Sequence, residues 1–164
     1  MFEIKSITVN DLEEVLEVYR QCEDFLALGS EPKASMKLVL HDMEESRKEK
    51  GDFCGIYALS GKLVGVIDYI SSNFNGVANV AFISLLMIGS PWRNRGIGMQ
   101  ILRLVEDKIR KIDLVDEIQT AVQLNNPAAL RFWQRNGYRV FGNPVLRPDQ
   151  TVVTYLRKDL FSSE

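Results

Sequence analysis

The apolar pattern of the chain centres on Val80 to Ile88, VAFISLLMI. The run is too continuous for a strand with one wet face, and it predicts a central strand covered on both faces. Gly89, Ser90 and Pro91 break it. After Arg93-Asn94-Arg95-Gly96-Ile97-Gly98, apolar residues recur at Ile97, Ile101, Leu104, Val105 and Ile109. That is helical spacing with one buried face. Residues 79–110 thus read as strand, glycine turn and helix.

The remaining segments fall around this unit. Alternation over Phe2 to Thr8 predicts a first strand, and Asn10 with Glu13 predicts a helix-start box. Leu12, Val15, Leu16, Tyr19 and Cys22 form one face of a helix ending near Glu23. Residues 24–34 read as a loop whose Phe25, Leu26 and Leu28 either plug the core edge or line a pocket. Ser35 is placed to cap a second helix carrying Met36, Val39, Leu40 and Met43, with Gly51 at its C-cap. His41 falls on that helix as a surface residue.

Strands at 53–59 and 62–70 flank a Ser60-Gly61 hairpin, and with 80–88 they form an antiparallel meander. A fifth strand spans Glu117 to Leu124. Asn126 and Pro127 open a short helix that stops at Asn136-Gly137. Tyr138 to Phe141 and Thr151 to Leu156 read as the last strands, with 142–150 a loop and the tail FSSE frayed. The order β-α-α-β-β-β-α-β-α-β-β predicts one domain over residues 1–164. Its class is α/β (α+β), with a mixed, mostly antiparallel sheet of about seven strands and about four helices.

Composition narrows the function. A chain of 164 residues suits a single core. A net charge of −2 gives no basic field for nucleic acid. No apolar run is long enough to span a membrane, and MFEIKSITVN carries acid and alternation instead of a basic, apolar leader. Cys22 and Cys54 lie far apart, as expected of buried thiols in a reduced, cytoplasmic protein. His41 is the only histidine and no Cys/His cluster exists, so no metal is expected.

The glycine turn carries the chemistry. Free N–H groups at a helix start favour an anion, and Arg93 and Arg95 add positive charge. A phosphate or pyrophosphate is the natural guest. Gly98-Met99-Gln100 offers neither the Lys nor the hydroxyl of a Walker loop, and a dinucleotide fingerprint would need a third glycine.

Arg93, Gly96 and Gly98, after an apolar strand and before an amphipathic helix, resemble the Arg/Gln-x-x-Gly-x-Gly/Ala signature of the GNAT superfamily of N-acetyltransferases. Downstream, Asn126, Ala129, Phe132, Gly137 and Tyr138 are similar to that family's Asn-x-x-Ala-x-x-Phe/Leu-Tyr-x-x-x-Gly-Phe segment. The element order also matches, so the resemblance covers nearly the whole chain. It implies the GNAT acyl-CoA N-acyltransferase fold and acetyl-CoA as co-substrate.

By the same resemblance Leu86, Met87 and Ile88 would lie along the pantetheine arm, pairing with it through the main chain at Leu86 and Ile88. Arg93, Asn94, Arg95, Gly96, Ile97, Gly98 and Met99 would hold the pyrophosphate. Asn126, Ala129, Phe132 and Trp133 would border the pantetheine. Arg131 and Arg135 either reach the nucleotide phosphates or form a solvated helix face.

The sequence departs from the family at two catalytic positions. Many members carry an acid on the strand equivalent to 81–85, where this chain has Phe82 and Ser84; many carry a tyrosine where it has Trp133. The remaining candidate for general base is Asp68 on the neighbouring strand, pointing either into a cleft or onto the surface, with Ser84 as a second catalytic candidate. Tyr69 faces away from Asp68.

The implied reaction is acetyl transfer to a primary amine, small molecule or peptide, with the small molecule favoured. The alternatives are a non-catalytic acyl-CoA sensor or partner module and, from the turn alone, a domain for another nucleotide. Loops 24–34, 71–79 and 142–150 would set the acceptor. Edge strands near the C-terminus are compatible with a homodimer.

Overall fold

The computed structural model describes residues 1–162. Part of the frayed tail expected at 161–164 therefore lies outside the described residues. Seven strands form one sheet: β1 (Phe2–Ser6), β2 (Asp52–Ala58), β3 (Leu63–Ile70), β4 (Val80–Ile88), β5 (Glu117–Gln123), β6 (Arg139–Leu146) and β7 (Val152–Asp159). Their order in space is β1-β2-β3-β4-β5-β7-β6. Among the described residues only β4 and β5 run parallel, because the connection between them is the helix α4 (Ile97–Arg110).

The helices divide between the two faces. On one, α1 (Leu12–Gln21) lies on β3 and α3 (Met36–Lys48) on β2. Val15, Val18, Tyr19, Val39, Val66 and Met87 form the core there. On the other, α4 and α5 (Pro127–Arg135) cover a larger core of Ile67, Ile83, Ile101, Val105, Ile118, Trp133 and Leu156.

Four expectations about caps, loops and strand ends change. The start box is Thr8 with Asp11, not Asn10 with Glu13. The Thr8 N–H donates to Asp11 Oδ2 at 2.8 Å, and a 3-10 turn at Val9–Asp11 precedes α1. Residues 24–34 are not wholly loop, since a four-residue helix, α2 (Glu23–Leu26), packs Phe25 and Leu26 against the α1–α3 core. The left-handed residue after α3 is Lys50 (φ 60°), whereas Gly51 donates its N–H to the Ser46 carbonyl. β6 runs on through Gly142 and Pro144, residues that an edge strand tolerates at a bulge; here the register shifts between Phe141 and Val145. As expected, Ser35 caps α3, His41 is exposed, and Gly137 closes α5 at φ 92°.

The central strand is not covered along its whole length. Val80 to Ile83 are buried, but Ser84 is exposed and Leu85 and Leu86 are half-buried. β4 pairs with β5 only from Val80 to Ile83. Beyond that point the two strands part.

Candidate active site

The parting of β4 and β5 sets the site. Thr120 Oγ1 donates to the Ile83 carbonyl at 2.8 Å, beside the last residue pair between the strands. In the β3–β4 ladder Asp68 faces Leu85 and Tyr69 faces Ile83, so Ser84 is an unpaired bulge residue. The Gly89 N–H donates to the Val64 carbonyl at 2.8 Å, which fixes the alternation of the ladder. Met87 and Leu85 then exchange bonds with Val66 and Asp68, while Leu86 and Ile88 turn their main-chain groups toward the gap. Met87 itself packs into the α1–α3 core. The Ile88 carbonyl accepts from Arg93 Nε at 2.9 Å and Cys22 Sγ at 3.4 Å, so of its two main-chain groups only the N–H faces the gap without one of these partners.

At the gap's end lies the start of α4. Asn94 (φ 62°) and Gly96 (φ 74°) hold the left-handed conformation that turns the chain into the helix. The Gln100 N–H to Gly96 carbonyl bond (3.1 Å) opens α4, so the N–H groups of Ile97, Gly98 and Met99 precede its ladder. Among the described residues no side chain caps this end. A Cβ on Gly98 would stand 3.3 Å from Phe132 Cε2, so this glycine lets α5 close on α4.

The two arginines of the turn differ. Arg95 is exposed, with its guanidinium 5.4 Å from the Trp92 ring centroid. Arg93 is turned inward and engages Asp24 with both terminal nitrogens, Nη2 to Oδ1 at 3.0 Å. That pairing holds the Asp24 carboxyl below the usual range. The Arg93 guanidinium therefore ties α2 to the end of β4.

On α5, Asn126 Oδ1 accepts the Ala129 N–H at 3.1 Å, which leaves the carboxamide NH2 as a donor. Phe132 and Ala129 are half-buried at the helix surface, and Arg131 and Arg135 are exposed. Trp133 is buried, edge-on to both Phe132 and Tyr138. Its ring belongs to the core.

Asp68 and Ser84 meet at the bulge, on the α1–α3 face. Ser84 Oγ donates to the Asp68 carbonyl at 3.0 Å, and Ser46 Oγ donates to Asp68 Oδ1 at 2.6 Å. Burial pushes the Asp68 carboxyl up, opposed by the Ser46 and Ser84 hydroxyls. Asp42, also pushed up by burial, accepts Tyr19 Oη at 2.7 Å in the same layer. Across the gap on β5, Gln123 Oε1 is the one sealed side-chain oxygen or nitrogen without a partner among the described residues. Sequence reasoning passed over Gln123 because a glutamine on a half-buried strand face carries no motif.

The loops expected to set an acceptor border two hollows. One, of about 490 Å³, lies among Leu28, Gly29, Asn125 and Asp149. The other, of about 340 Å³, lies among Phe74, Val77, Glu117 and Gln119.

The Acetyltransferase (GNAT) family profile matches residues 12–138. Solved structures share the fold. An acetyltransferase from Thermus thermophilus aligns at TM-score 0.76 and 22% identity, over 97% of each chain. The PaiA N-acetyltransferase of Thermoplasma acidophilum, in complex with coenzyme A, aligns at 0.68 and 20%, over 97% of this chain and 99% of that one. The spermidine N-acetyltransferase of Vibrio cholerae, in complex with CoA and spermine, aligns at 0.74 and 14%, over 97% and 95%. No curated protein sequence matches the chain.

Proposed function

Since the chain belongs to the GNAT acetyltransferase family and is an acyltransferase, we propose that it transfers the acetyl group of acetyl-CoA directly to a primary amine of a small molecule. The observation that carries this reading is the free β4 edge at Leu86 and Ile88 running into the uncapped start of α4. An extended pantetheine can pair with the one, and a pyrophosphate can accept from the N–H groups of the other. The CoA complexes of the Thermoplasma and Vibrio structures support the donor, and spermine in the latter supports a small amine acceptor.

In this reading Asp68 takes the amine's proton. An amine with a lysine-like pKa near 10.4 is charged at neutral pH, and freeing it costs roughly 4–5 kcal/mol. A carboxylate whose pKa is raised by burial is better matched to that task than a surface aspartate. The amine nitrogen bonds to the thioester carbon, the C–S bond breaks, and the thiolate takes a proton from solvent. The Leu86 N–H, turned into the gap, supports the developing oxyanion. Direct transfer also fits the cysteines, both of which are buried; burial pushes the Cys54 thiol up to about 11.

The test is a thermal melt with acetyl-CoA, NAD or ATP, followed by thiol release with an amine panel. A hundredfold excess of a true ligand over its dissociation constant adds about 2.7 kcal/mol, or roughly 5–10 °C here. A shift with acetyl-CoA alone, followed by amine-dependent thiol release, is expected. No shift with acetyl-CoA overturns the donor, and a shift without turnover of any amine overturns the acceptor class.

A further inference from the structure

The helices leave part of the sheet bare. On the face that carries Asp68, α1 and α3 lie on β3 and β2, and among the described residues the core they form takes in no residue of β5, β7 or β6. Register places Phe82, Gln119 and Arg157 level with one another on this face. One step along, Ala121 pairs with Tyr155 and Tyr155 with Phe141. Aromatic rings therefore cross the bare face in a row. Phe74 stacks on Phe82 at 4.1 Å, Phe82 lies 6.4 Å from Tyr155, and Tyr155 lies 6.3 Å from Phe141. Ala121 keeps the floor low between them.

The far end of this floor is cationic. Arg157 faces Arg139 directly across β7 and β6, an arrangement of like charges that a sheet disfavours on its own. The Arg157 guanidinium lies 4.8 Å from the Phe141 centroid, and among the described residues no carboxylate pairs with either arginine. The acids of the same face are engaged elsewhere. Glu117 accepts from Gln119 Nε2 at 2.6 Å, and Asp159 accepts the Phe161 N–H at 3.0 Å.

We propose that the acceptor is an amine joined through a flat apolar body to an anionic group, a carboxylate or phosphate, that pairs with Arg157. The inference rests on the amine-acetylating reading above and names the acceptor's class. The amine lies by Ser84 and Asp68, the body lies on Ala121 and the aromatic row, and the anion reaches Arg157 with Arg139 behind it. Two strand spacings and two residue rises separate Ser84 from Arg157, about 12 Å between their Cα positions. With the side chains extending from those positions, the acceptor's two ends lie on the order of 10 Å apart. An arginine held over an aromatic ring is a preorganised anion partner, and its charge-assisted bonds select for a carboxylate over an isosteric amide.

The test uses rigid probes: 4′-(aminomethyl)biphenyl-4-carboxylate, the matching 4-carboxamide, and the matching 4-phosphonate. Their binding to the full chain with coenzyme A is measured by calorimetry, on wild type, Arg157→Gln and Arg139→Gln, each checked for an intact thermal midpoint. The carboxylate or the phosphonate should bind at least about tenfold more tightly than the carboxamide. Arg157→Gln should erase that preference and Arg139→Gln should reduce it. Whichever anion binds more tightly identifies the acceptor's anionic group. Equal binding of all three probes, no binding of any, or a preference that survives Arg157→Gln overturns the proposal. A probe that binds in this pattern but is not acetylated leaves the anion site standing and counts against Asp68 as the base.

Discussion

Ser46 Oγ donates to Asp68 Oδ1 at 2.6 Å, joining the last turns of α3 to the middle of β3. Both side chains are buried, and no cation pairs with the carboxylate among the described residues. A neutral hydroxyl steadies the charged form without neutralising it. Burial wins, so the carboxyl sits above its ordinary range while the Ser46 and Ser84 hydroxyls restrain the rise. The bulge at Ser84 sets its hydroxyl on the Asp68 main-chain carbonyl.

Ser46→Ala removes the donor that favours the charged carboxylate. The pKa of Asp68 should rise further, so the acidic limb of the kcat/KM profile should move to higher pH. Turnover well above that limb should change little, since the base is still present. Rate profiles of wild type and Ser46→Ala across pH decide it. A limb that stays in place would mean that Asp68 is not the group titrating.

Asp68→Asn separates activity from stability. A carboxyl raised above its unfolded value of about 3.8 contributes fully below that value and loses its contribution as pH rises through the folded pKa. At neutral pH the buried charge is thus a burden. Asparagine still accepts the Ser46 hydrogen bond. The variant should lose roughly 10²–10⁴ in kcat/KM. Its melting temperature at pH 7 should equal or exceed that of wild type, and the advantage should vanish toward pH 3.8. Melts at both ends of that window, beside the rate, check the sign; a variant that is less stable at pH 7 refutes it.

Much of this arrangement was legible in the sequence, and what was not has a common cause. Helical and strand periods are local, so the seven strands, the glycine turn and the Ser35 and Asn126 caps could be read directly. The long apolar run Val80 to Ile88 looked covered throughout because every residue but Ser84 is apolar. Whether Leu86 is covered depends on β5, which leaves β4 after Ile83. The ion pair of Arg93 with Asp24 was not legible because the two residues lie 69 positions apart. Gly142 and Pro144 read as loop residues because nothing local says that 139–146 is an edge strand. Arg157 and Phe141 were silent for the same reason, since the bare face exists only once the helices are placed.

The two glycines of the turn should fail differently. Gly96 holds φ 74°, and a Cβ added there would meet nothing within 4 Å, so Gly96→Ala faces backbone strain alone, about 1–2 kcal/mol. The melting temperature of the free protein should fall by roughly 2–8 °C. Gly98 has an ordinary helical conformation but faces Phe132 at 3.3 Å. Gly98→Ala should cost less in the free protein and shrink the acetyl-CoA shift more, because the added methyl intrudes where α4, α5 and the ligand converge. Paired melts with and without acetyl-CoA distinguish the two, and equal acetyl-CoA shifts in both variants would remove Gly98 from the binding surface.

Glu106 tests the part of the molecule that stands apart from the chemistry. It lies on α4 at 2% exposure, with Lys158 Nζ at 2.9 Å, Arg110 Nη2 at 3.6 Å and the Tyr138 hydroxyl at 3.3 Å. Lys158 pairs with Ile118 on the α4–α5 side of the sheet, opposite the bare face. Glu106→Ala leaves an ammonium and a phenol short of their acceptor, and breaking such a buried pair costs about 3–5 kcal/mol. Lys158 keeps some contact with water and a second acceptor, the Asn136 carbonyl at 3.0 Å, so the lower end applies. The melting temperature should drop by roughly 6–12 °C. Adding Lys158→Met to Glu106→Leu should recover most of the loss, because an apolar pair of similar volume carries no stranded charge. The acidic limb of the rate profile should stay where wild type has it in both variants. A double variant no more stable than Glu106→Ala would mean that the stranded Lys158 charge is not what the single substitution exposes, and that the loss comes from packing around Tyr138 instead.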